Sequence, residues 1–128
     1  MSDIKDLWMD GEIVWAEPPT PLQGDRHRDL TRRALALASE SRSGCIVFDY
    51  RRARLRHDVL ARHALWLVKS DMENPLRAAL LVPEVTPDSD FWSRLLWLSG
   101  IAAAVFTDAQ AAVTWLRSRV QQTAAVSR

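Results

Sequence analysis

Three short, continuous apolar runs constrain this chain more than any other feature: Cys45–Tyr50 (CIVFDY), Ala78–Pro83 (AALLVP) and Ile101–Phe106 (IAAAVF). A strand with one wet face alternates apolar and polar residues, whereas a strand covered on both faces does not. The runs therefore predict central strands of a parallel sheet, with Ile46, Val47, Phe48, Leu80, Leu81, Val82, Val105 and Phe106 buried. A further run, Glu12–Glu17, is rich in β-branched and aromatic residues and is ended by Pro18-Pro19. The weaker run Ile4–Met9 precedes it across Asp10-Gly11, a dipeptide that two-residue hairpins prefer, so residues 4–17 are predicted to form a β-hairpin.

Between the runs lie helical patterns with their own start and stop signals. Thr20-Pro21-Leu22-Gln23 fits a capping box, with Asp25 as a later alternative, and Leu30, Ala34, Leu37 and Ala38 then recur at helical spacing up to Ser43-Gly44. A second helix is expected over Asp58–Met72, with Leu60, Ala64, Leu67 and Val68 on one face. A third, capped by Asp88, Ser89 or Asp90, runs to Gly100, with Phe91, Leu95 and Leu98 supplying one face and Trp92 and Leu96 broadening it. Thr107-Asp108-Ala109-Gln110 opens the last, which sets Ala109, Ala112, Val113, Leu116 and Val120 on one side. The order β-β-α-β-α-β-α-β-α makes this an α/β protein: a mostly parallel, mixed sheet of about five strands with an N-terminal hairpin and four helices.

The length of 128 residues suits one domain, with a core over about 4–119 and a tail, 120–128, expected to fray. A balance of 48 % hydrophobic to 26 % charged residues excludes a disordered or fibrous chain. The longest mainly apolar stretch, Leu95–Phe106, is well short of the ~20 residues of a spanning helix. The first residues carry no secretory signal pattern, and one cysteine, Cys45, excludes a disulfide framework; a cytoplasmic protein is the expectation.

Charge is segregated although the net value is only +1. Residues 26–33 hold four arginines against Asp29, a local +3, and residues 42–63 hold six against Asp49 and Asp58, a local +4. Arg51, Arg52, Arg54 and Arg56 follow the Cys45–Tyr50 strand, at the carboxyl end where open α/β sheets bind ligands. Guanidinium forks suit phosphate and carboxylate, so these four are candidate binders of an anionic ligand or partner. The alternative is compositional, because arginine outnumbers lysine fifteen to two along the whole chain. Nucleic acid bound through this arginine loop is a further alternative, though the bulk charge does not argue for it as an obligatory partner.

Six tryptophans complete the inventory. Trp15 and Trp115 read as packing, and Trp66 lies off the Leu60–Leu67 face. Trp92 and Trp97 make the third helix apolar most of the way round, which predicts an interface there, a homodimer or another protein contact flanked by arginine. Catalytic and metal readings have little to stand on. His57 and His63 are six residues apart and share no helix face, Cys45 starts a buried strand, and no glycine-rich phosphate loop exists. No metal or cofactor is expected.

The hairpin, the Pro21-Leu22 helix start, the aspartate of Ile46-Val47-Phe48-Asp49-Tyr50, the strand Ala79-Leu80-Leu81-Val82-Pro83 and the closing AVFTDAQAAVTWL together resemble the STAS superfamily. The resemblance is to its small bacterial STAS or Sec14-like (SpoIIAA-like) members and covers roughly residues 4–117. It implies a non-enzymatic regulatory module acting through protein–protein contacts in signal transduction. The Sec14-like side implies a small apolar ligand or lipid as the alternative. Family members are switched by phosphorylation of a serine after the Asp-bearing strand. The corresponding stretch here, Arg51–Leu60, holds no serine, threonine or glycine, and no phosphosite is carried over.

Overall fold

A computed structural model describes residues 6–41, 43–55, 58–70 and 75–126, with side chains up to residue 118. Its elements follow the expected order: β1 (Leu7–Asp10), β2 (Ile13–Ala16), α1 (Gly24–Ser41), β3 (Cys45–Asp49), α2 (Val59–Val68), β4 (Arg77–Leu81), α3 (Pro87–Leu98), β5 (Ala102–Phe106) and α4 (Ala109–Val126). The sheet order is β1-β2-β3-β4-β5, with β1 antiparallel to β2 and the remaining pairs parallel. Residues 4 and 5 of the expected hairpin lie outside the described residues. The turn is Gly11-Glu12 rather than Asp10-Gly11, because Asp10 pairs with Ile13 and Gly11 takes the left-handed φ of 64°.

Sequential parallel strands joined by right-handed crossovers must place every crossover helix on one face. Accordingly Val14, Ala16, Ile46, Phe48, Ala78, Leu80 and Ala103 pack with residues of α1, α2 and α3. Alternate residues Ile13, Trp15, Cys45, Val47, Ala79 and Leu81 turn the other way and cluster with Ala112 and Leu116 of α4. Two faces covered on three central strands explain the unbroken runs in β3 and β4. β5 is different. It is an edge, so Val105 and Phe106 are only half-buried, against the expectation of a central strand.

That edge carries a device of its own. Val82 N donates to Phe106 O (2.9 Å), so Phe106, Ala104 and Ala102 turn their backbone polar groups toward β4. Ala103 and Val105 consequently face the open side. The Trp97 indole N–H donates to Ala103 O at 2.6 Å, laying a large side chain along a strand edge that could otherwise pair with another chain.

Helix starts depart from the sequence in three places. The Thr20 box does not form; Thr20-Pro21 is a cis peptide and α1 begins at Gly24. Thr86, not Asp88, Ser89 or Asp90, caps α3 by accepting from Ser89 N (3.2 Å), with Ser89 Oγ accepting from Thr86 N (2.9 Å) and Pro87 in the first turn. Asp108, not Thr107, caps α4 by accepting from Ala111 N (2.8 Å). The phase of α3 is also turned. Ser89, Trp92 and Leu96 face the core, whereas Phe91 and Leu98 are 51 % and 86 % exposed. In α1 the buried stripe includes Leu35, with Leu37 only partly covered. The tail expected to fray falls where side chains are outside the described residues, and α4 itself runs to Val126.

Candidate functional site

The chain leaves β2 through Glu17 and the proline-rich turn at 18–21, then enters α1. It leaves β3 at Asp49 and crosses an arginine loop into α2. These two departures, with the first turns of α1 and α2, enclose a cleft of about 590 Å³ at the carboxyl edge of the sheet. Arg52, Arg54, Arg62, His27, Asp58 and Trp66 line it, over Thr20-Pro21-Leu22. Three arginines against one aspartate leave the lining at +2, and its volume is within the range of small-molecule sites.

The arginines differ in how far they are already engaged. Arg51 is turned back onto Asp49: Nε donates to Oδ1 and Nη2 to Oδ2, each at 2.9 Å, and its backbone N–H donates to Oδ1 at 3.2 Å. This closed fork takes Arg51 out of the candidate set. Arg62 is held by Asp58 one turn earlier. Arg52 lies 3.9 Å from Glu17 with its side chain mostly in solvent, a contact of little energy. Arg54 forms no ion pair or hydrogen bond among the described residues and is the open fork of the cleft. Arg56, the fourth arginine of the expected set, lies outside the described residues.

A second concavity of about 430 Å³ runs between α1 and α2 and meets the first at Trp66. Arg28, Arg32 and Lys69 rim it over Leu35 and Ala36, and its lining has no acidic residue. The two concavities together present Arg28, Arg32, Arg52, Arg54, Arg62 and Lys69 against Asp58 alone, although the chain as a whole is nearly neutral.

Beneath the cleft sits a cluster of aromatic and imidazole rings. His27 of α1 stacks on His63 of α2, with centroids 5.4 Å apart and planes 3° apart, and Trp66 meets His27 edge-on at 4.9 Å. His27 Nε2 hydrogen-bonds the Tyr50 hydroxyl, and Thr31 Oγ1 donates to His27 O at 2.9 Å. Trp92 Nε1 donates to His63 Nδ1 at 2.9 Å, so a neutral His63 carries its proton on Nε2, which is buried without a partner. Burial, then the nearby Arg62 charge, lowers the His27 pKa to about 4. Burial, then His27, holds His63 well below its ordinary value, and burial raises the Tyr50 phenol. Both imidazoles are therefore neutral at pH 7.

The two tryptophans expected at an interface separate. Trp92 is fully buried and bonded to His63, so it serves the core, and the reason for placing it at a contact is gone. Trp97 is 49 % exposed and covers the β5 edge. Cys45 is buried at the amino end of β3, on the opposite rim of the sheet from the cleft, and burial raises its thiol pKa. Among the described residues no group of three or more His, Cys, Asp or Glu side chains is placed to hold a metal, and no helix is long and apolar enough to cross a membrane.

His27, Arg62 and Trp66 belong to the cleft without having been assigned to it from sequence. The one available signal was spacing: Asp58 and Arg62 are one turn apart, and Arg62 and Trp66 are again one turn apart, so all three share a helix edge. No family model matches the chain, and no curated protein or solved structure matches it.

Proposed function

We propose that the protein is a binding module without catalytic turnover, and that its ligand is an anionic group held in the arginine cleft. The observation that carries this reading is the convergence of Arg52, Arg54 and Arg62 on one concavity at the carboxyl edge of a parallel sheet. Guanidinium forks recognise phosphate and carboxylate through paired charge-assisted hydrogen bonds. Arg54 offers such a fork unspent, and an arriving anion competes with Asp58 for Arg62. The adjoining basic groove extends the surface available to a larger acidic partner, in keeping with a regulatory module of the STAS-like kind. The test is calorimetric titration with inorganic sulfate, inorganic phosphate and a poly-glutamate peptide at low salt. Binding should weaken about tenfold or more in Arg54→Gln, the loss of one charge-assisted pair. Failure of all three probes to bind, or equal affinity in Arg54→Gln, would overturn the reading; the phosphate and peptide arms separate the two anion chemistries.

A second reading, contact with a protein or a second copy of this chain, is favoured by the outer face of α3. Phe91 and Leu98 are exposed seven residues apart on one stripe, with the partly buried Leu95 between them. Sedimentation of the wild type and Leu98→Asp tests it: a monomer at every concentration removes self-association.

A further inference from the structure

The anion cleft has a floor as well as a rim, and the floor is His27. Its Nε2 edge is occupied by the Tyr50 hydroxyl, while its Nδ1 makes no hydrogen bond among the described residues, on a side chain that lines the cleft. Resting on the reading of the cleft as an anion site, the geometry points to His27 as a fourth ligand group that binds as the imidazolium, so that the cleft takes up its anion together with one proton.

The surroundings of His27 explain why the proton needs the anion. From α2 it faces neutral His63, the uncharged ring of Trp66 and cationic Arg62; from the residue just past β3 it faces the Tyr50 phenol; across the cleft stand Arg52, Arg54 and Asp58, the last paired with Arg62. The nearest charges are thus positive on balance, and burial removes water as a substitute. An anion seated among the arginines reverses the local field and supplies an acceptor for Nδ1–H.

The buried edge of the ring already has its partner. His27 Nε2 and the Tyr50 hydroxyl share one hydrogen bond, and in the imidazolium Nε2–H donates to the Tyr50 oxygen while Nδ1–H is left for the cleft. The second proton comes from solvent through the cleft that His27 lines, and no covalent bond forms or breaks other than the N–H of the imidazolium.

The experiment uses sulfate, which stays dianionic through the whole range and so adds no titration of its own. Its affinity for the full chain is measured by calorimetry at pH 7.5 and pH 5, at fixed ionic strength, and the His27 ring is followed by NMR. Affinity should be about tenfold tighter at pH 5. His27→Gln should abolish that ratio while His57→Gln, at the third histidine of the sequence, should keep it. Sulfate should also raise the pH at which His27 itself protonates, a readout that stands even if His27→Gln does not fold. Binding that is lost in Arg54→Gln but flat with pH, or a proton taken up on His63 or His57, overturns the linkage and leaves the cleft reading intact. Absence of sulfate binding at both pH values removes both.

Discussion

Two histidines buried neutral in one cluster predict that acid weakens this fold well above the pH at which carboxylates ordinarily titrate. In the unfolded chain both imidazoles protonate near the reference value of about 6.5. In the folded chain His27 waits until about 4 and His63 also stays neutral far below its ordinary range. Between those limits the unfolded state holds more protons, so stability is constant above roughly pH 7 and falls as the pH drops through the window. At pH 5 the unfolded His27 has been protonated over about 1.5 units that the folded one has not, which costs about 2 kcal/mol at 1.36 kcal/mol per unit. His63 acts in the same direction. Urea unfolding followed by tryptophan fluorescence at pH 7.5, 6 and 5 measures the loss directly, and His27→Gln should flatten part of it. An unfolding free energy that is the same at pH 7.5 and pH 5 would show that neither ring is held neutral, and with it the account of the cluster would fail.

Other substitutions test particular contacts. Trp97→Ala removes an indole hydrogen bond and about half a buried ring, which should cost about 1–3 kcal/mol, and it uncovers the β5 edge; sedimentation should then show more self-association than in the wild type, and an unchanged or reduced tendency would contradict the edge-covering role. Trp92→Phe keeps an aromatic ring but withdraws the donor from His63 Nδ1 and leaves part of the indole's buried volume unfilled, and should lower the unfolding free energy by about 1–3 kcal/mol in urea titration. Gly44→Ala places a Cβ 2.2 Å from Pro75 O at a φ of 66°, so it should destabilise by about 2 kcal/mol or more, measured in the same way.

The order of elements was legible in the sequence because it rests on burial, and burial writes itself as continuous or periodic apolar residues. Cys45–Asp49 and Arg77–Leu81 are covered on both faces, and their runs say so. Ile101–Phe106 reads the same way yet forms an edge strand, because small alanines suit a half-covered position as well as a closed one. The phase of α3 is hidden from the pattern for a related reason. Phe91, Leu95 and Leu98 and the set Trp92 and Leu96 are both apolar, and pattern alone does not rank them. The choice is made by tertiary contacts: the Thr86–Ser89 box and Pro87 start the helix, and the Trp92 indole finds its acceptor on His63 of another helix. The hydroxyl box at Thr20 does not form, and α1 begins at Gly24 instead.

The site was legible only as a neighbourhood. An arginine-rich loop after the central strand located the right rim of the sheet, since topology fixes where strand ends lie. Which arginines remain open depends on carboxylates, and the decisive ones act at different ranges. Asp49 captures Arg51 two residues on, so the nearest arginine to the strand is the one least able to bind anything else. Asp58 reaches forward one turn to Arg62 and thereby draws a residue of α2 into the cleft wall. His27 arrives from another helix altogether, and its sequence neighbours, Arg26 and Arg28, give no hint that it is buried while they are exposed. The basic excess of residues 26–33 and that of residues 42–63 are separate features of the sequence, yet α1 and α2 lie side by side in the fold. Arg28 and Arg32 from the first and Arg62 from the second thus border two concavities that meet at Trp66. A nearly neutral chain acquires a basic face in this way, because the crossover rule places both helices on the same side of the sheet.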